Sequence, residues 1–118
     1  MLKEAMLAMR VTDMEYAPEI CDLLEAAKRD LEIAGVIVGG VLAFRVSEDE
    51  QTGVITVTDK STVNDKAIQT ALITYARMHF GSPTDYDRLA ASYDLQRKQL
   101  ANAADYTDFC GVEGAEEP

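Results

Sequence analysis

Few side chains in this sequence could carry out acid–base or nucleophilic chemistry. His79 is its single histidine, and its cysteines are Cys21 and Cys110. A general base needs partners within hydrogen-bond reach. His79 instead ends a predicted helix, where an imidazole interacts favourably with the negative end of the helix dipole. The spacing gives neither cysteine a histidine partner, so we expect two free thiols and no enzyme active site.

Two further stretches are candidates for ion or phosphate binding. The run Glu48-Asp49-Glu50 lacks the alternating oxygen ligands, central glycine and distal glutamate of a calcium loop, which favours a solvated loop tip. No Lys-Ser/Thr pair follows Gly39-Gly40, so this pair is better explained as a kink or turn than as a phosphate loop. The sequence therefore predicts no metal and no cofactor.

The tyrosines could form an aromatic surface or belong to the core. At helical spacing, we expect Tyr75 and Tyr93 in the core with their hydroxyls at its rim, and we leave Tyr86 open. Tyr106 and Phe109 differ, because they follow the last predicted helix in a polar segment with no local core. They would either dock back on the helices or anchor in another chain.

Length, charge and hydropathy limit the class of protein. The 118 residues suffice for one domain with a modest core, and 47% of them are hydrophobic. A formal net charge of −10 argues against a surface that coats nucleic acid, which would be basic. We expect no signal peptide, because residues 1–11 contain Lys3, Glu4 and Arg10 and no long apolar core. We expect no membrane span, because the longest apolar run, residues 36–44, is short and contains two glycines.

Apolar residues recur at helical spacing in the first third of the chain. A short helix over residues 2–9 is predicted by an apolar face of Leu2, Ala5, Met6 and Met9. A second helix begins near Pro18, which suits a first turn, and ends at Gly35, which suits a left-handed C′ position. Its apolar stripe consists of Ile20, Leu23, Leu24, Ala27, Leu31 and Ala34.

Residues 36–58 have strand character instead. Val36–Val38, Val41–Val46 and Val54–Thr58 are rich in β-branched residues, and the polar loop Ser47–Gly53 joins the last two as a hairpin. A two-stranded hairpin alone is marginal in water. It therefore packs on the helices or is completed by a neighbouring subunit. We favour the second in part, because free strand edges pair readily with other chains.

Two helices predicted within residues 64–104 form the centre of the expected fold. Thr62 or Asn64 would cap the first of them, and Gly81 would end it in a left-handed conformation. The connection between the two helices is short, so we expect them to lie as an antiparallel pair.

The fourth helix has its own start signal. Ser82 would cap it, Pro83 would take its first position, and Asp85 would complete a shortened capping box. The predicted fold is thus mainly α, a small bundle of about four helices with a β-hairpin between the second and third helices. Residues 1–104 would form one domain with a β arm at about residues 36–58, and residues 105–118 a partly disordered acidic tail.

Three stretches carry a family resemblance. In Leu72–Asp94 a helix ends in an aromatic-Gly turn, and an acidic, tyrosine-containing segment leads into a Leu-x-x-Ser-Tyr-Asp run. With Pro18–Leu31 and Asp105–Phe109, this pattern resembles the head–tail connector (adaptor) proteins of long-tailed phages, also described as DNA-packaging proteins. The predicted hairpin departs from the short helix–helix connection of that family.

The resemblance implies a structural virion protein. Connectors of this family form a ring below the portal, extend the DNA channel and provide the platform for head completion and tail attachment. For this chain it implies a dodecameric ring at the head–tail junction of the virion, assembled in the host cytoplasm. The implied partners are the portal protein, the next head-completion or tail protein and further copies of the chain. Double-stranded DNA would pass through the lumen without specific binding, and no membrane would be involved.

Candidate contact residues fall into three groups. Subunit contacts are expected between the bases Arg77, Arg88, Arg97 and Lys98 and the acids Glu25 and Glu32 of a neighbour. The hairpin would contact a neighbouring subunit or the tail side through Phe44, Val46, Val54 and Thr56. The portal contact is expected through Tyr106, Thr107, Asp108 and Phe109, with the two aromatic residues as anchors.

Two other functions stay open on the sequence. One is a small acidic interaction module or regulator, of phage or bacterial origin, that binds no portal. The other is a DNA-binding packaging factor, which needs a basic recognition helix. The helix predicted over residues 83–103 instead mixes three bases with three acids, which argues against that function.

Overall fold

The protein is a helical bundle with a β-hairpin inserted after its second helix. The computed structural model describes residues 1–81 and 84–103. Its elements in chain order are α1 (Leu2–Met9), a 3-10 turn (Met14–Tyr16), α2 (Ala17–Ile33), β1 (Phe44–Glu48), β2 (Ile55–Asp59), α3 (Lys66–His79) and α4 (Tyr86–Asn102). The predicted helical class and the place of the hairpin are confirmed, while the predicted tail lies outside the described residues.

Helix α2 follows its apolar periodicity closely. Pro18 occupies its first turn, where a missing N–H leaves no partner unsatisfied. The stripe residues Ile20, Leu24, Ala27 and Leu31 have no exposed surface. The helix is followed by Gly35, whose φ of 94° lies in the left-handed region that favours glycine.

Helix α3 is capped by a residue that the sequence analysis did not choose. The carboxylate of Asp65 accepts hydrogen bonds from the amides of the second and third helical residues at 2.8 and 3.2 Å. The predicted caps, Thr62 and Asn64, were wrong. Thr62 is instead hydrogen-bonded to Val41 in extended backbone. Thr62 and Asn64 both precede Asp65, the residue whose side chain reaches those amides. Gly81, with φ of 67°, provides the left-handed conformation predicted after this helix.

Helix α4 begins at Tyr86, three residues later than predicted. Asp85 is therefore its N-cap position, not the third residue of a capping box, and it has a non-helical φ of −103°. Its carboxylate caps no amide, because it is bound by Arg88 at 2.6 Å. Ser82 and Pro83, the predicted cap and first residue, lie outside the described residues.

Helix α3 lies at the centre of the bundle and contacts α1, α2 and α4. Tyr93 of α4 meets Tyr75 with 5.3 Å between ring centroids, and Tyr16 before α2 meets Phe80 after α3 at 5.6 Å. These contacts show that α2 and α4 lie antiparallel to α3. The residues of α3 with no exposed surface are Ile68, Ala71, Leu72 and Ala76. Two of them are alanines, which allow neighbouring helices to approach closely.

The hairpin pairs β1 and β2 antiparallel, with Val46 opposite Val57. The turn between them is closed by the Asp49 amide, which donates to the Val54 carbonyl at 2.9 Å. Both strands begin and end later than predicted. The strand predicted at Val41–Val46 is observed at Phe44–Glu48, and the one predicted at Val54–Thr58 is observed at Ile55–Asp59. The run Val36–Val38 is not a strand of this hairpin, since Val36 and Val38 are buried in the core instead.

The base of the hairpin continues as extended pairing. The Lys60 amide donates to the Ala43 carbonyl at 2.8 Å, and the Thr62 amide to the Val41 carbonyl at 2.9 Å. Gly40 lies against this segment so closely that a Cβ would stand 3.0 Å from the Thr62 carbonyl group. Gly39, with φ of 72°, has the left-handed conformation that fits the predicted kink or turn.

We predict that Leu72→Ala lowers the free energy of unfolding by about 2–5 kcal/mol, because it opens a cavity between α3 and its neighbours. Leu95→Ala, at an exposed position of α4, should change it by no more than about 0.5 kcal/mol. Urea denaturation followed by circular dichroism measures both. Equal effects of the two substitutions would contradict the central position of α3.

Candidate interaction surfaces

The side chains that could do chemistry are buried or engaged in packing. Cys21 is buried in α2, and burial, together with nearby Asp59, Asp22 and Glu25, raises the pKa of its thiol to about 12. A thiol that stays protonated is a poor nucleophile. Within the described part of the chain, no three His, Cys, Asp or Glu side chains come together as a metal site. Cys110 lies outside that part.

His79 takes part in an aromatic seam between α3 and α4. Its ring centroid lies 4.4 Å from that of Tyr75 and 6.4 Å from that of Tyr86. Tyr93 is buried and Tyr75 packs against the core, as predicted, whereas Tyr86 is exposed. The imidazole is therefore held by ring contacts at the end of α3, which agrees with a structural role for this histidine.

The hairpin has one apolar and one polar face. The register places Phe44, Val46, Ile55 and Val57 on the first face, with Glu48 and Asp59 at its two ends. It places Arg45, Ser47, Thr56 and Thr58 on the second. The four hairpin candidates are thereby separated: Phe44 and Val46 share the apolar face, while Thr56 and, by continuation of the register, Val54 belong to the other.

Both edges of this two-stranded sheet are outer edges. The Asp49–Val54 and Lys60–Ala43 hydrogen bonds fix which residue pairs bond across the ladder. Val46 and Val57 fall on the alternate pairs, so their backbone N–H and C=O groups point away from the hairpin. Such groups are a template on which another extended segment can pair.

Asp59 ties the end of β2 to the start of α1. Its carboxylate accepts the Leu2 amide at 2.8 Å and the Ser61 amide at 2.9 Å, and it lies 2.9 Å from the amino group of Met1. Burial alone would raise the pKa of Asp59, but these hydrogen bonds and the ammonium hold it well below its ordinary value. The contact positions the arm against α1.

A polar bridge joins α2 to α4. The Tyr93 hydroxyl donates to Asp30 Oδ2 at 2.5 Å, and Arg97 Nε lies 3.1 Å from the same oxygen. The Arg97 N–H is not directed at that oxygen, so their contact is ionic and not a formed hydrogen bond. Burial, then the hydrogen bond to Asp30, raises the pKa of the Tyr93 phenol above its usual range.

Most of the charged candidates for subunit contacts have partners within the chain. Arg88 pairs with Asp85 at 2.6 Å, Lys98 with Asp94 at 3.0 Å, Glu32 with Lys28 at 3.1 Å and Arg97 with Asp30. Glu25 is exposed on α2 and Arg77 is half-buried between α1 and α4. The six are thus spread over several faces of the bundle. The portal candidates Tyr106, Thr107, Asp108 and Phe109 lie outside the described residues.

An apolar groove, which the sequence analysis missed, runs between α1 and β2. Its volume is about 430 Å³. We name it the α1–β2 groove; its apolar lining consists of Leu2, Met6, Leu7, Val11, Met14 and Val57. Lys3, Thr12 and Asp59 complete the wall. One signal pointed to it: four of the five methionines fall within residues 1–14, and methionine is common on adaptable binding surfaces.

Comparisons with known proteins assign no function to this chain. No protein-family model, no curated protein and no solved structure matches the chain. Among the helices of the described residues, each is too short or too polar to cross a bilayer.

We predict that Tyr93→Phe lowers the free energy of unfolding by about 1–2 kcal/mol, because it removes a hydrogen bond to a carboxylate. The control is Tyr86→Phe, whose ring is exposed and which should be neutral. Urea denaturation at pH 7 measures both. If the two variants are equally stable, the bridge between α2 and α4 contributes nothing.

We predict that Asp59→Asn destabilises the protein at neutral pH and that the difference shrinks in acid. The folded-state pKa of Asp59 is lowered from its ordinary 3.8. Its stabilising contribution is therefore complete well above pH 4 and is lost as the pH falls from about 4 towards the folded pKa. Urea midpoints at pH 6 and pH 2.5 measure the change, with Asp87→Asn on α4 as control. A difference that does not vary with pH would contradict it.

Proposed function

We propose that this chain is a head–tail connector, a structural subunit that assembles as a ring below a phage portal. Two observations support the proposal. The sequence resembles that family at both ends of the chain, and the hairpin presents an apolar face and open strand edges. The resemblance suggests the connector role, and the hairpin, which departs from the short helix–helix connection of that family, is the structural observation that supports contact with a neighbouring subunit.

The hairpin is the part of the fold that gains most from a second chain. Val46 is 44% exposed on the apolar face. The Ser47–Gly53 loop and the polar face are likewise solvent-exposed. Two strands bury little when they are not covered. In a ring, each arm would lie on the neighbouring subunit, which would bury Val46 and pair one strand edge.

Charge is compatible with a DNA channel. Each subunit has a formal net charge of −10. Acidic side chains repel DNA phosphates, so a lumen rich in them lets the duplex slide, whereas clustered Lys and Arg would retain it. The many acids of the chain thus favour passage over binding.

The charged candidates differ in how well they suit a contact with a neighbour. Arg88 and Lys98 are exposed and have partners three or four residues away on their own helix, and such surface pairs contribute little. In this proposal they reach Glu25 and Glu32 of the next subunit. Arg97 is 33% exposed and is occupied with Asp30, so its main role is to hold α4 on α2. The segment Tyr106–Phe109 remains the proposed portal anchor.

Co-sedimentation of the purified chain with portal particles from the same phage genome tests the proposal, with the mass of the free chain measured alongside. Binding at a high, fixed stoichiometry is expected. The free mass then shows whether the ring forms alone or on the portal. A monomer or dimer that binds no portal would overturn the connector function and favour the small acidic interaction module.

We predict that Val46→Lys lowers ring assembly or portal-templated binding about tenfold or more, because a lysine on the apolar face would be desolvated in the contact. Ser47→Lys, on the exposed opposite face of the same strand, is the matched control and should assemble normally. Circular dichroism checks that both variants fold. Normal assembly of both would exclude the apolar face of the hairpin as the subunit contact.

A further inference from the structure

The α1–β2 groove is an apolar surface that the fold leaves open. Leu7 is 69% exposed on its wall, whereas Leu2, Ala5 and Met6 of the same helix are buried. The groove also lies beside the outward-pointing backbone of Val57 on β2. Apolar pockets of several hundred Å³ with a few polar groups at the rim are typical binding sites.

The chain beyond the described residues starts at the same end of the bundle as the groove. Helix α4 runs antiparallel to α3, as the Tyr93–Tyr75 contact shows, so Ala103 lies near the start of α3. Helix α1 starts at that end too, since Lys66, the first residue of α3, is close enough to Glu4 to help lower its pKa. The groove therefore begins where α4 ends.

The segment that follows α4 is long compared with the α1 wall of the groove. Residues 104–118 follow α4, and extended chain spans about 3.3 Å per residue. Phe109 can therefore lie up to roughly 20 Å from Ala103. The eight residues of α1, which form one wall of the groove, span about 12 Å, less than this maximum extension of the tail.

Composition matches this occupant to the groove. Tyr106 and Phe109 are the large aromatic residues of the tail, and aromatic rings make favourable contacts with methionine sulfur. Residues 105–118 contain five acids and no base. The groove wall carries Lys3 and also Asp59, whose charge is paired with the Met1 amino group. We propose that the α1–β2 groove is the docking site of the chain's own segment Asp105–Phe109, with an aromatic ring seated among Met6, Leu7 and Met14. This proposal concerns the free subunit and does not depend on the connector function, which assigns the same segment to the portal after assembly.

Methyl NMR of the methionines in the full chain tests the docking directly. Met6 and Met14 line the groove, whereas Met78 is buried in α3 and serves as an internal reference. In the double variant Tyr106→Ser/Phe109→Ser, the Met6 and Met14 signals should shift and the Met78 signal should not. Unchanged Met6 and Met14 signals would overturn the proposal. Met6 and Met14 shifts that depend on protein concentration in the wild type but not in the double variant would also overturn it and assign the groove to the tail of a second copy.

A peptide of residues 105–112 provides the second test. It should bind the double variant and bind the wild-type chain about tenfold more weakly, because the wild-type tail competes at an effective concentration in the millimolar range. Leu7→Ser, introduced into the double variant, should abolish binding. Leu95→Ser is the matched control, since Leu95 is 57% exposed on α4, and should leave binding unchanged. Equal affinity for wild type and double variant, or no binding to either, would overturn the proposal.

Discussion

The burial of one helix on three sides is the constraint on which the rest of the structure depends. Helix α3 contacts every other helix of the described bundle, and its buried residues Ile68, Ala71, Leu72 and Ala76 form one broad apolar face. The Thr74 hydroxyl, buried with them, bonds the Thr70 carbonyl at 2.8 Å and so leaves no polar atom unpaired there. The outer helices need only one apolar face each, which leaves their other faces available for contacts.

Polar contacts between the outer elements fix relative positions that packing on α3 alone does not determine. Packing on a central helix fixes distances between neighbours but leaves α2 and α4 free to shift along it. The Asp30–Tyr93 hydrogen bond joins these two helices directly. Asp59 has the same role for the arm, because it fixes the end of β2 to α1. In each of these contacts, one carboxylate is bound by more than one partner.

Local signals in the sequence were enough to predict the elements but not the contacts between them. The stripe of α2 and the stop at Gly81 are properties of neighbouring residues, and the structure has both. The cap of α3 was predicted wrongly because Thr62, Asn64 and Asp65 can all cap, and the extended pairing of Thr62 with Val41 decides among them. Leu2 and Asp59 are 57 positions apart, so no local pattern marks their contact or the groove beside it.

The order of elements along the chain has a consequence for synthesis. The central helix is the third to leave the ribosome, so α1, α2 and the hairpin are made before the surface that buries them exists. Until α3 is complete, the stripe of α2 and the valines of the arm remain open to solvent or to chaperones, as is common for nascent segments. The packing of α1 and α2 on α3 can therefore begin only when more than half of the chain has been translated, whereas the contacts between α1 and α2 can form earlier.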